Sequence, residues 1–424
     1  MRLAWSCLVT SLLVGTVVGC GSKTGLTIPE YERDAGAFDA GRDAGRDAGP
    51  HDAGSDAGEP PDICIELPYL EPPREVRVSF DGRISAADVY FLIDTTGSMS
   101  EEIAAIQRTL QTTIIPGLAE SIPDVRFSVG SLADFPETGA DRDKPFVLVQ
   151  PSTGDIGAVQ AAVDRLPMSS GGDGPESQVE ALYLSATGEA FGIYVPPPGC
   201  PEGTVGYPCF RRDGSRIFLL FTDWSFHNGP GGAEPYPLSI RPAPHSYAEA
   251  VNALRAIGAK VLGIYSGSGD GFSDMQTIAR DTGAVGPRGE PLVFNIGTDA
   301  SGLDRQVIEA VRTLVDDVPI DIDLLVEDVP GDPLDATTFV RRVLALSAEP
   351  PDGATNLGDR FADVRPGTRV TFSVELQNEL IPPSPLEQRY RMRIVLRGDG
   401  VTRLTETVVE VVIPGMMGGG CEMP

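Results

Sequence analysis

VYFLIDTTGSMSEEI, residues 89–103, is the stretch on which the reading of this chain turns. Val89 to Ile93 form an unbroken apolar run, as expected for a strand covered on both faces. The run ends in a carboxylate, Asp94, followed by Thr95, Thr96, Gly97, Ser98, Met99 and Ser100. A charge at the end of a buried strand is costly unless something compensates it. Asp94, Thr96 and Ser98 fall on alternate positions of the loop, so one carboxylate and two hydroxyls aim at one point. Their donors are all oxygens, a set that suits a hard divalent cation such as magnesium, calcium or manganese. In the segment that follows, Ile103, Ile106, Leu110 and Ile114 recur at helical spacing. Pro116 and Gly117 are expected to disturb that helix.

Outward from this stretch, strands and helices alternate over residues 85–318. VRFSVGSLA (125–133), FVLVQ (146–150) and RIFLLFT (216–222) read as strands. DIGAVQAAVDRL and SQVEALYLSATGEA read as helices, the second closed near Gly188. SYAEAVNALRAIG and AKVLGIYSG give a helix, a stop at Gly258 and another strand. FSDMQTIARDTGAV, PLVFNI and LDRQVIEAVRTLVDDV complete the series. This alternation predicts an α/β, Rossmann-like domain: a mostly parallel sheet, helices on both faces, ligands at the carboxyl ends of the strands. After Pro319 the segments alternate polar and apolar residues, are rich in β-branched side chains and are separated by Pro/Gly turns, which predicts a β-sandwich over 319–424. REVRVSF (74–80) is a further strand candidate. Residues 64–84 would complete the sandwich, and the α/β domain would be inserted in it.

The formal charge of −28 and the isoelectric point near 4.4 argue against nucleic acid as a partner. MRLAWSCLVTSLLVGTVVGC opens the chain with one arginine and an apolar run, the pattern of an export signal over 1–19. No other stretch is long and apolar enough to cross a bilayer. In the exported chain four cysteines remain besides Cys20. Cys200 and Cys209 flank one Pro/Gly-rich loop and are expected to pair locally, adding about 2–3 kcal/mol on the chain-entropy model. Cys64 and Cys421 would then tie the ends of the folded part together. Residues 20–63 include the repeat DAGAFDAGRDAGRDAGPHDAGSDAG (34–58). With ten acids, four bases and few apolar side chains between Gly21 and Ile63, this segment reads as a disordered linker, spanning roughly 35 Å r.m.s..

Two resemblances sharpen these readings. VVGC at residues 17–20 resembles the lipobox of bacterial lipoproteins. That implies cleavage before Cys20, lipidation of Cys20, and anchoring in the cell envelope; an ordinary secretory signal is the alternative. Gly21 is not the aspartate that retains lipoproteins at the inner membrane, which favours the outer one. DTTGSMS resembles the Asp-x-Ser/Thr-x-Ser motif of von Willebrand factor type A domains, over about 230 residues. FTDWSFH places Asp223 directly after a buried strand, like the family's second acid. SSGGDGPES supplies the middle loop, where Asp173-Gly174-Pro175-Glu176 is similar to the Asp-x-Pro-Glu of integrin β-subunit I-like domains.

The resemblance implies a metal-ion-dependent adhesion site. Thr96, Ser98 and Glu176 would bind the cation directly, and Asp94 and Asp223 largely through water. One coordination position would stay open for an Asp or Glu of a partner protein. Glu101 and Glu102 stand where integrin β carries acids for a second cation, and Asp134, Asp173 and Glu176 would hold a third. Gly171 replaces the integrin asparagine there, and the integrin specificity loop is absent between Ala133 and Phe146. The sandwich resembles the hybrid domain into which the integrin domain is inserted. The expected function is cation-dependent protein capture without catalysis. Alternatives are a structural envelope protein stabilised by its cation and, less favoured, a metal-assisted hydrolase. Of the histidines, His227 and His245 follow Asp223 in one connection. A Ser98/His227 site is conceivable, but loop packing is the expected role of His227.

Overall fold

A computed structural model describes residues 61–421 except 170, 173 and 268. The expected signal (1–19), Cys20 as the expected lipidation site, the expected linker up to residue 60 and the candidate ligand Asp173 lie outside the described residues. In chain order the strands and helices begin with β1 (Ile63–Glu66) and β2 (Arg74–Asp81). The α/β part runs β3 (Ala86–Asp94), α1 (Ser100–Thr109), α2 (Ile115–Ser121), β4 (Asp124–Leu132), β5 (Val147–Thr153), α3 (Ile156–Asp164), α4 (Gln178–Thr187), β6 (Ser215–Thr222), α5 (Tyr247–Ala256), β7 (Ala259–Tyr265), α6 (Gly271–Asp281), β8 (Val293–Asn295) and α7 (Leu303–Asp317). Then follow β9 (Ile320–Asp328), β10 (Val340–Glu349), β11 (Thr355–Asn356), β12 (Phe361–Val364), β13 (Arg369–Leu376), β14 (Gln388–Gly398) and β15 (Thr402–Ile413).

The first sheet has the order β5-β4-β3-β6-β7-β8. All its pairings are parallel except that of β5, which runs antiparallel along one edge. Alternation along the central strands divides the core in two. Val89, Phe91 and Ile93 of β3 pack with α1, α2, α3 and α7 on one face. Tyr90 and Leu92 pack with α4, α5 and α6 on the other. From β3 the chain moves to β4 on one side and later to β6 on the other. The β3/β6 boundary is therefore the switch point, where two loops diverge and leave a crevice.

Local chemistry explains several boundaries. Gly188 takes a φ of +74° and ends α4, as expected, because an L side chain is strained there. Ser246 and Glu249 form a reciprocal cap at the start of α5. The disturbance expected around Pro116 is a π-helical turn at Leu110–Ile114, just before the proline, which has no N–H to offer the preceding turn.

The remaining strands build two sheets, β1-β15-β14-β9-β12-β11 and β10-β13-β2. Many of their buried residues, among them Phe80, Ile322, Phe372, Met392 and Val411, belong to one hydrophobic cluster. The 74–80 segment lies in β2, antiparallel to β13. β1 pairs in parallel with the last strand, β15, and the Cys64–Cys421 disulfide joins the same two chain ends. Cys200 and Cys209 form the second disulfide. Lys260, on β7, meets Asp399, in the turn after β14, at 2.7 Å.

Candidate metal centre

Asp94 closes β3 and is fully buried. Its Oδ1 accepts hydrogen bonds from the Thr96 backbone N–H (3.0 Å) and the Thr96 hydroxyl (2.7 Å). Its Oδ2 accepts from the hydroxyl of Thr222, the last residue of β6, at 2.7 Å. Gln178 Nε2 donates in turn to Thr222 at 2.8 Å. The hydroxyls of Thr96 and Ser98 lie 3.4 Å apart, and Ser98 also hydrogen-bonds Asp223. The 94–98 loop is thus folded around its own carboxylate, with the hydroxyls turned inward.

Glu176 arrives from the middle loop. Its backbone N–H donates to Ser225 O (3.1 Å), and its carbonyl accepts from the His227 N–H (2.9 Å). These two bonds fasten the middle loop to the loop that carries Asp223. Thr96, Ser98 and Glu176 line one open recess of about 220 Å³, with Gly171, Gly172, Gly174 and Trp224. At Gly174 a Cβ would come within 2.2 Å of Trp224 Nε1, so a larger residue there would displace the indole. Trp224 is 49% exposed at the rim.

Negative charge accumulates next to the 94–98 loop. Burial pushes the Asp94 carboxyl up to about 6, although the hydrogen bonds from Thr222 and Thr96 oppose the rise; the charge of Asp223 adds to it. Burial also raises Asp223 and Glu102. Asp223 Oδ1 and Glu102 Oε2 are buried and accept no hydrogen bond. None of Asp94, Asp223 and Glu102 forms an ion pair with a base among the described residues. Buried carboxylate oxygens without donors, beside two hydroxyls, are a donor set a hard cation fits. Among the described residues no group of three His, Cys, Asp or Glu is gathered closely enough to hold a metal by itself. The hydroxyls of Thr96 and Ser98 are therefore an essential part of the candidate set.

The residues expected at further sites are placed differently from one another. Glu101 is exposed, whereas Glu102 is buried and hydrogen-bonded to Ser266. Asp134 is buried, and its oxygens take hydrogen bonds from Tyr236 (2.6 Å) and Thr138. His227 stacks on Tyr236 at 4.1 Å, donates through Nδ1–H to Glu234 O (2.8 Å), and has Nε2 3.7 Å from Asp134. His245 pairs with buried Glu180 at 3.0 Å and stacks on Tyr183. Thr222, Gln178 and Ser266 were not singled out from sequence. Thr222 alone had a usable signal, since it sits beside Asp223 at the end of an apolar strand. Tyr236 and Thr138 reach Asp134 from connections that no periodicity describes.

No protein-family model matches the chain, and no curated protein matches it. Among solved structures it is similar to a von Willebrand factor type A protein from Catenulispora acidiphila, at 15% identity and a TM-score of 0.36, covering 83% of this chain and 72% of that one. It is also similar to proximal thread matrix protein 1 from the mussel byssus, at 14% identity and a TM-score of 0.33, covering 56% of this chain and 47% of that one.

Proposed function

We propose that this protein is an envelope-anchored, cation-dependent protein-binding module of the von Willebrand factor type A kind. The observation that carries the reading is the recess at the β3/β6 switch point. Thr96, Ser98 and Glu176 line it together, and Thr96 and Ser98 are hydrogen-bonded to the acids Asp94 and Asp223, neither of which is paired with a base among the described residues. Thr96, Ser98 and Glu176 would hold a divalent cation directly, with Asp94 and Asp223 acting through water. A cation bound largely by neutral hydroxyls keeps its attraction for an incoming carboxylate, which an Asp or Glu of a partner protein would supply. Trp224 would border that contact. Lipid on Cys20 and the Asp-Ala-Gly linker would tether the module to the bacterial envelope, in the outer membrane, and the two remaining sheets would form a hybrid-like β-sandwich behind it.

The test is capture. The intact chain, immobilised and exposed to envelope and matrix proteins, should retain a partner in magnesium or manganese and release it in chelator. Asp94→Ala should retain none. A partner held equally in chelator and by the variant would refute metal-mediated capture.

A further inference from the structure

Glu176, Ser177 and Gln178 are consecutive, and each ties the start of α4 to a different neighbour. Glu176 bonds the 225–227 segment through its backbone. The Ser177 N–H donates to Ala133 O at 3.0 Å, and its hydroxyl lies 2.7 Å from the carbonyls of both Ala133 and Pro145. Gln178, the first residue of α4, is fully buried and turns its amide to the end of β6, where Nε2 donates to the Thr222 hydroxyl at 2.8 Å. Its Oε1 is buried and has no hydrogen-bond partner.

A hydroxyl has one proton to give and two lone pairs to receive with. Thr222 Oγ1 accepts from Gln178 Nε2 and, at 3.4 Å, from the Trp224 N–H. Its own proton is thereby directed to Asp94 Oδ2, at 2.7 Å. Turned the other way, the Gln178 amide would draw that proton to its own oxygen and leave Asp94 Oδ2 without a donor. With Oδ2 satisfied, Oδ1 takes both the N–H and the hydroxyl proton of Thr96, whose oxygen lone pairs are left for a cation.

We propose that Gln178 is a positioning residue of the metal centre. Its amide fixes the polarity of the relay from Gln178 through Thr222 to Asp94, and so the setting of the Asp94 carboxylate. Because Gln178 follows Glu176 so closely in the chain, one short segment sets both acids. The inference rests on the metal reading of the site.

The probe is manganese, titrated into the intact chain by calorimetry, beside denaturant unfolding in chelator. Gln178→Met keeps the length of the side chain and removes the amide. Manganese affinity should fall roughly tenfold, as for the loss of other groups that orient a metal ligand. Stability in chelator should not fall, because a buried oxygen without a partner is removed as well. Thr222→Val should lose at least as much affinity, and Thr222→Ser should recover most of that loss. Adding Gln178→Met to Thr222→Val should cost nothing further, since Gln178 acts through Thr222. Parental affinity in Gln178→Met, or losses that multiply in the double variant, would overturn the relay. So would a loss of stability in chelator, which would make Gln178 a structural residue. A parent that binds no cation would refute the metal reading itself, and the relay with it.

Discussion

The central strand β3 carries a buried aspartate near each end, and the two are served differently. At the amino end, Asp88 receives the Arg211 backbone N–H at 2.6 Å and its guanidinium at 3.0 Å, and the same guanidinium reaches Asp124 and the Ala87 carbonyl. At the carboxyl end, Asp94 receives only hydroxyls and one backbone N–H, with Asp223 as a negative neighbour. The first end is closed chemistry: the charge is neutralised within the chain and serves stability. The second is open: among the described residues no base pairs with Asp94, and burial raises its carboxyl instead. Buried charge without an internal partner marks a binding site more reliably than buried charge as such.

The largest effect should come from breaking the closed end. Arg211→Met removes the ion-pair partner of buried Asp88, leaving only the charge of Arg216 nearby, and should cost about 3–5 kcal/mol in denaturant unfolding, with no dependence on divalent cations. The open end should behave in the opposite way. Asp223→Asn removes a buried negative charge whose Oδ1 has no donor, so in chelator it should be neutral or stabilising. It should also remove a cation-dependent gain of about 2.7 kcal/mol, the value expected at a hundredfold excess over the dissociation constant.

Acidity sharpens the contrast. A carboxyl raised in the fold to about 6 binds its proton more tightly folded than unfolded. Its stabilising share is fully present below the unfolded value near 3.9 and is lost as pH rises through about 6. In chelator, lowering the pH from 7.5 to 5 should therefore add about 1 kcal/mol from Asp94. Asp134, also raised to about 6, contributes in the same direction. A saturating cation should erase the Asp94 share and leave that of Asp134, as read from unfolding curves at each pH. The smallest effect is at the helix start. Glu101→Gln, on an exposed side chain, should change stability and cation affinity by less than about 0.5 kcal/mol, whereas Glu102→Gln should weaken cation binding measurably in calorimetry.

Much of this was legible in the sequence because it rests on short-range pattern. The runs 89–93 and 216–222 are too apolar for anything but a covered strand, and alternation of strands and helices predicts the largely parallel sheet. Both disulfides follow from loop position and from counting. The four-residue strands β1 and β12 and the two-residue β11 were missed, since so few residues show no period. At the site, Asp94, Thr96 and Ser98 share one loop and so announced themselves. The Thr222–Asp94 bond and the burial of Glu102 beside Ser266 depend on which strands become neighbours, which sequence spacing does not encode.

The most direct measurement is thermal unfolding of the intact chain, stripped with chelator and then titrated with magnesium, calcium or manganese, with Asp94→Ala alongside. The account predicts a saturable rise of several degrees or less for a chain of this size, absent in the variant. A folded protein that gains nothing from any of the three cations, or a variant that gains as much as the parent, would contradict it.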